Sequence, residues 1–398
     1  MKHVADNQSA VLALWFVVNA SLSSYHKLVA AFGSAKEALS ASADDWQALG
    51  IHQAHRQRLQ DSNGLQVFLS SVAQDLKERR YQVLLATDDD YPAMLHDIYD
   101  PPPILFYQGD SKRLNEPQIA IVGSRKPTSY AEKVSFDLAQ YLAQCGYVIT
   151  SGLADGVDRQ AHLGAMAQHD SGLLGRTVGV MGTGIDVCYP KANQGLFADI
   201  VQTGGCLVTE LLPKTPASKF TFPRRNRLVA GLSLATIVTE AALQSGSLIT
   251  ARLTAEQGKQ VFAVPSRIDN PNAEGCHHLI REGATLIYHP TQILDEIQNT
   301  HTFTALPKTF SQGVSEYIEI STTNDSTNPP KIPPSTPVQA TQDIPKHLQV
   351  VYDCLENNPQ DLDTLVVQTG LPVGELLAKL TELEIFGFAK QMGGRYGR

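Results

Sequence analysis

Between residues 119 and 264 short apolar runs alternate with amphipathic stretches, and this pattern limits the fold more than any other feature of the chain. The runs are Ile119–Gly123, Tyr147–Ser151, Thr177–Met181, Cys206–Thr209, Ala235–Thr239 and Val261–Val264, with Ala131–Gln144, Asp155–Ala167 and Ser247–Gln257 between them. Runs of four or five residues rich in Val, Ile and Thr suit strands buried on both faces, and the amphipathic segments suit helices that cover them. Strands and helices in alternation predict an α/β fold built on a mainly parallel sheet. We place it at 86–300, after a polar connector that ends in Pro101-Pro102-Pro103.

The flanks read differently. In residues 1–85, Leu12, Trp15 and Phe16, then Leu28, Val29 and Phe32, recur at helical spacing, and Gly33-Ser34 stops one helix and caps the next. A small helical bundle is expected, able to serve protein contacts or, through helix–hairpin–helix turns, DNA backbone. Residues 301–344 are rich in Pro, Ser and Thr and predict a flexible tether. Helical periodicity returns at 345–398, where three helices and a hairpin predict a winged-helix-like unit.

Ala10–Val18 is too short to span a bilayer, and its flank Met1–Ser9 is a poor signal-peptide start. A soluble protein with no membrane partner is expected. Five cysteines with no C-x-x-C pair argue against a disulfide framework or a zinc site and favour a reducing, cytoplasmic setting.

In an open parallel sheet, ligands bind beyond the carboxyl ends of the strands. Four predicted strands there run into small residues: Gly123-Ser124-Arg125, Ser151-Gly152 through Gly156, Gly182-Thr183-Gly184, and Ser245-Gly246-Ser247 after Glu240. Glycines admit close backbone approach, and serines and helix-start amides donate to anionic oxygen, so Gly123, Ser124, Ser151, Gly152, Gly156, Gly182, Gly184, Ser245, Gly246 and Ser247 form a candidate phosphate rim.

The chain carries a net charge of −8, yet Leu211–Thr239 holds five cations and no Asp or Glu. These are Lys214, Lys219, Arg224, Arg225 and Arg227, with Phe220 and Phe222 among them. Cations pair with phosphates, and an exposed ring stacks on an unpaired base. Lys219 and Phe222, on a Pro-flanked loop, are the favoured ligand contacts; Arg227, beside Leu228-Val229-Ala230, also suits a core position. The reading requires Lys219 and Arg125 to face one site.

Other chemistries lack their signatures. The first strand is not followed by G-x-G-x-x-G, and neither a Walker A loop nor a nucleophile elbow occurs, so no cofactor, metal or catalytic group is assigned. His277-His278 is the single histidine doublet, and adjacent residues point apart on a helix; His162 reads as a packed histidine. The competing enzymatic reading, a nucleotide or phosphoribosyl hydrolase, rests on Glu240, which otherwise caps the nearby helix or accepts from Ser247 amides.

The central block resembles the DprA/Smf family of DNA-processing proteins. The resemblance rests on Val122–Arg125, Ser151–Asp158 with Ala161-His162, Gly182–Asp186 with Tyr189-Pro190, Phe222–Arg227, Ala230–Ser233, Glu240-Ala241 and Ser245–Ala251. It implies an extended Rossmann-like domain that dimerises, binds single-stranded DNA without cutting it, shields incoming DNA in natural transformation and helps load the RecA recombinase. By position it implies DNA contact for Arg125, Lys219, Phe222 and Arg227, to which the basic cluster adds Arg224 and Arg225. The chain departs from the family pattern at Ser266, after Val264-Pro265, and at Gly275-Cys276-His277-His278.

A winged helix that reads duplex DNA needs a basic recognition helix. The segment Val373–Glu384 has Glu375, Glu382 and Glu384 against Lys379 alone, and Arg395 and Arg398 fall in the tail. This favours protein contact for the last unit, with weak DNA contact as the other reading.

Overall fold

The computed structural model describes residues 2–168, 174–300, 345, 347–355, 359–385, 388–392 and 395–397. They belong to two compact units, Met1–Thr300 and His301–Arg398. The expected tether at 301–344 lies outside the described residues, as does Arg398.

The first unit opens with six helices: α1 (Lys2–Val17), α2 (Leu22–Phe32), α3 (Ala35–Ser40), α4 (Ala43–Ala48), α5 (Gln53–Gln60) and α6 (Ser62–Lys77). Their ends follow local chemistry. Gly33, at φ 87°, closes α2, and Ser34 accepts from the Glu37 amide to start α3. Trp15 and Trp46 are fully buried, and each indole N–H finds a carbonyl, Glu210 at 2.8 Å and Ala38 at 2.9 Å. The Trp15 bond already ties the bundle to the sheet domain. Trp15, Leu28 and Trp46 share one buried cluster with Leu85, Phe106 and Leu212, so 1–300 is one body rather than a bundle on a stalk.

The sheet has nine strands among the described residues. They are β1 (Gln82–Leu85), β2 (Ile104–Gly109), β3 (Gln118–Val122), β4 (Val148–Ser151), β5 (Thr177–Val180), β6 (Cys206–Thr209), β7 (Ala235–Val238), β8 (Gln260–Ala263) and β9 (Thr285–Leu286). Their order is β1-β2-β6-β5-β4-β3-β7-β8-β9, antiparallel across the first two pairings and parallel from β6 to β9. The sheet therefore begins at Gln82, inside the segment read from sequence as helical. Strands β3 to β7 are buried throughout, as fully covered parallel strands must be.

The covering helices are α7 (Ser129–Gln144), α8 (Val157–Met166), α9 (Gln194–Gln202), α10 (Thr221–Leu232), α11 (Gly246–Glu256), α12 (Glu274–Arg281) and α13 (Thr291–Thr300). On α7, Ala131, Ser135, Leu138, Ala139 and Leu142 are buried, the stripe expected of a helix laid on a sheet. Central β3 lies between β4 and β7, with Ile119 opposite both Ile149 and Ala235. From β3 the chain proceeds through β4, β5 and β6 on one side, then returns to β7 on the other. That reversal opens a crevice where the loops after β3 and β7 part company.

The second unit, taken by itself, has α14 (Gln349–Cys354), α15 (Leu362–Thr369), α16 (Val373–Ile385) and a small sheet of β10 (Gln360–Asp361), β11 (Lys390–Met392) and β12 (Arg395–Gly397). Its core gathers Leu348, Val351, Leu365, Leu376, Leu380 and Leu383. Three helices and a hairpin give the winged-helix plan. On α16 the lone Lys379 donates to the His347 carbonyl at 2.9 Å and lies 3.7 Å from Glu375, so it is committed within the unit.

Candidate functional site

The crevice between β3 and β7 is held open by a small lattice of hydrogen bonds. Ser124 N–H donates to the Glu240 carbonyl at 2.7 Å, and Ser247 Oγ donates to the Gly123 carbonyl at 2.6 Å. The Glu240 carboxylate, almost wholly buried, accepts from Thr128 N–H at 3.0 Å, Thr128 Oγ1 at 2.7 Å and Asn270 Nδ2 at 3.2 Å. This corrects the expectation that Glu240 accepts from Ser247. Glu240, the carboxylate on which the hydrolase reading rests, accepts these bonds from scaffold groups and does not line the cavity described next.

A cavity of about 660 Å³ opens beside this lattice. Gly123, Arg125, Lys219, Phe222 and Arg225 line it, together with Ser245, Gly246 and Ser247 at the start of α11. Arg125 and Lys219, nearly a hundred positions apart in the chain, thus face one space. The Arg125 guanidinium carbon stands 5.7 Å from the Phe222 ring centroid, and the Lys219 ammonium 5.1 Å from that of Phe220.

Helix α10 sorts the basic cluster. It begins at Thr221, so Phe222 stands in a first turn rather than on the expected loop, and Pro223 is tolerated there because first-turn amides have no intrahelical partner. Phe222, Arg225, Asn226 and Val229 recur every three or four residues and face the cavity. Arg224 and Arg227 fall on another face. Both pair with the buried Glu210, Arg224 through Nε at 2.8 Å and Arg227 through a guanidinium nitrogen, and Arg224 also lies over Trp15. Arg224 and Arg227, expected from sequence among the DNA contacts, join helix, sheet and bundle here and do not line the cavity. Glu210 stands one residue before the carboxylate-free stretch.

The rim residues divide in the same way. Ser151 is buried and donates to the Ile121 carbonyl at 2.6 Å. Gly156 and Gly184 pack against the backbone of Ser124 and Leu212, and Ser124 is bound to Glu240 and to the Lys126 amide. These four shape the loops without lining the cavity. Gly152 and Gly182 act by absence of a side chain. A Cβ at Gly152 would come within 1.8 Å of an Arg225 guanidinium nitrogen, and one at Gly182 within 2.6 Å of Phe222. Each glycine makes room for a side chain that does line the cavity.

Asp158, Asn226 and Tyr189 also line the cavity, and the sequence reading gave none of them a site role. Asp158, 8% exposed, and Arg225, 6% exposed, both line the cavity and interact by charge. Burial raises the Asp158 carboxyl above its ordinary value, against the pull of Arg225, the Ala154 amide and Ser151. Burial pushes Arg225 down to about 10, opposed by Asp158, so the guanidinium stays charged at neutral pH. Asn226 donates to the Gly246 carbonyl at 3.2 Å, and Tyr189 sets its ring 5.4 Å from Phe222, tilted 36°. The signal for Asp158 was its place in the first turn of the helix after Ser151–Gly156; for Tyr189, its place in the loop after Gly182-Thr183-Gly184.

Among the histidines, His162 is buried with Nδ1 2.7 Å from Thr177 Oγ1, and burial, then Arg225, pushes it down to about 3. It is a packed histidine. His277 Nε2 lies 2.9 Å from the Ser266 carbonyl, so two positions that depart from the family pattern touch each other. Among the described residues no group of His, Cys, Asp and Glu is placed to hold a metal, and no helix is long and apolar enough to cross a membrane.

A mostly parallel open sheet with a cationic, ring-lined cavity at its switch point defines a Rossmann-like protein. Residues 82–298 match the family model of DNA recombination-mediator protein A, and residues 333–395 match the DprA winged helix domain. The chain belongs to the DNA recombination-mediator protein A family. It is 35% identical to Protein Smf of Escherichia coli over 324 residues, 81% of this chain and 79% of that one. Against the DNA processing protein DprA of Streptococcus pneumoniae it is 43% identical over 211 residues, 53% and 72% of the two chains. The X-ray structure of the latter protein matches with a TM-score of 0.62 at 32% identity, covering 72% of this chain and 97% of that one. A solved structure of DNA processing protein A from Helicobacter pylori, which concerns that protein's single-stranded DNA binding mode, matches with a TM-score of 0.50 at 31% identity, covering 56% and 97%.

Proposed function

We propose that this chain binds single-stranded DNA in the switch-point cavity, holding the backbone by charge and bases by stacking, with no chemical step. One observation carries the reading: Arg125, Lys219 and Arg225 converge with Phe222 on a single cavity whose far wall is the start of α11. Three cations against one buried carboxylate favour a polyanion, and the helix start adds amide donors and a favourable dipole. The single-stranded DNA binding mode of the Helicobacter pylori relative supports the same reading. We extend it to a cytoplasmic homodimer that shields incoming DNA during natural transformation and helps load a RecA-type recombinase. Membership of the family supports this role.

The test is a binding series on a poly-dT oligonucleotide with salt varied. If about three phosphates are neutralised, log affinity falls against log salt with a slope of about −2, close to a 20-fold loss between 50 and 200 mM. Replacing Arg125 or Lys219 by Ala should each weaken binding and flatten that slope by about 0.7. A salt-independent affinity would refute the proposal. Incubation with nucleoside monophosphates should release no free base; release would restore the hydrolase reading.

A further inference from the structure

A second cavity, of about 760 Å³, lies at the other end of the sheet from the switch point. The start of β1, the end of β2, the start of β6 and helix α9 border it, where the chain leaves α6. Its floor is apolar, with Phe197 of α9 beside Leu207 of β6, and the half-buried Gln82 offers an amide that donates and accepts as a peptide group does. Two arginines, Arg79 and Arg80, stand exposed at the rim.

The charges select the ligand. Arg80 is already matched, since it pairs with Asp75 at 3.1 Å and with Glu78 at 2.6 Å. Arg79 makes no ion pair among the described residues. It also holds a left-handed backbone, φ 56°, just past the end of α6, where glycine is the unstrained residue. A side chain kept in a strained position points to use of that side chain. A nucleic-acid strand needs a row of cations and ring faces it can reach. Here one cation is free and two carboxylates stand close by. The Tyr81 ring is 2% exposed with its hydroxyl 3.2 Å from Asp75, and Phe197 is 8% exposed. One free cation above an apolar floor matches instead an apolar side chain next to a single carboxylate. We propose that this groove docks a short segment of a partner protein, in which an aromatic or large aliphatic residue enters the pocket and a neighbouring Asp or Glu meets Arg79. The filled pocket supplies most of the affinity, and the carboxylate fixes the direction of the segment. Docking there is separate from ligand binding at the switch point, which lies beyond the carboxyl ends of the parallel strands.

The experiment selects a random dodecapeptide library, displayed on phage, against the full chain, and then measures enriched peptides by fluorescence anisotropy. Enriched sequences should place Asp or Glu beside a large apolar residue. Ala198→Trp fills the pocket from an exposed position on α9 and should weaken these peptides roughly tenfold or more. Arg79→Gly keeps the left-handed turn without strain and should weaken them about fivefold, the upper range for an exposed ion pair. Both variants should keep the wild-type Tm to within the gain that glycine brings, and should bind poly-dT as the wild type does. The proposal is overturned if no peptide is enriched over a bare surface, if the enriched peptides lack carboxylates, or if both variants bind them normally. It is equally overturned if a dT oligonucleotide displaces the peptides from an Arg125→Ala variant, because the groove is then a nucleic-acid surface.

Discussion

Replacing Glu210 by Ala should destabilise the chain by about 3–5 kcal/mol, the usual consequence of stranding a buried charge, while leaving every cavity-lining side chain in place. The Glu210 side chain is 2% exposed and serves two guanidinium groups. Arg224, 27% exposed, can turn towards water once its partner is gone. Arg227, 8% exposed, cannot: burial already depresses its pKa, and Glu210 is the strongest influence opposing that depression. The stranded cation is thus Arg227. At about 2–4 °C per kcal/mol for a body of this size, Tm should drop by roughly 6–20 °C. Since removing the charges together is far gentler than removing one partner, Glu210→Leu with Arg227→Met should recover most of the loss. Thermal unfolding followed by circular dichroism reads the stability, and poly-dT binding well below the transition reads the cavity. If Glu210→Ala left Tm unchanged, or if Arg227→Met weakened DNA binding without lowering Tm, then Arg227 would be a DNA contact and the structural role given to it here would be wrong.

Gly152→Ala should displace Arg225 from the cavity and so lower poly-dT affinity and flatten the salt slope by about 0.7, as the loss of one phosphate contact requires; an unaltered slope would show that Arg225 meets no phosphate. His162 gives a pH dependence of definite sign. Its folded value, about 3, lies below the ordinary 6.5, so the unfolded chain takes up the proton first. Its contribution to stability is complete above about 6.5 and is lost as pH falls towards 3, at about 1.4 kcal/mol per unit. Denaturant midpoints measured across that window should be flatter for a His162→Gln variant, and parallel curves would exclude this origin. Glu240→Ala should leave Thr128 N–H, Thr128 Oγ1 and Asn270 without an acceptor and destabilise by about 1–3 kcal/mol for the buried donors together; unchanged stability would mean that the lattice under the cavity is not held by Glu240.

The local features of this protein were written in its sequence. Strands such as Ile119–Val122 and Ala235–Val238 could be read because β-branched runs between glycine turns leave little else for the backbone to do, and the order of helix and strand made the sheet parallel. The glycine and serine loops, Arg125 and Lys219 were legible for the same reason, since short-range chemistry marks a turn or a charge wherever the chain goes. What α10 did with the basic cluster was not legible. A run of five cations has no facing until a helix gives it one, and Glu210 became the partner of Arg224 and Arg227 because packing brought the end of β6 against that helix. The strand order and the joining of the bundle to the sheet through Trp15 were likewise decided in three dimensions. Sequence alone determined which residues carry charge, rings and turns. Only the tertiary structure decided which of them meet, because burial and pairing depend on neighbours far away along the chain.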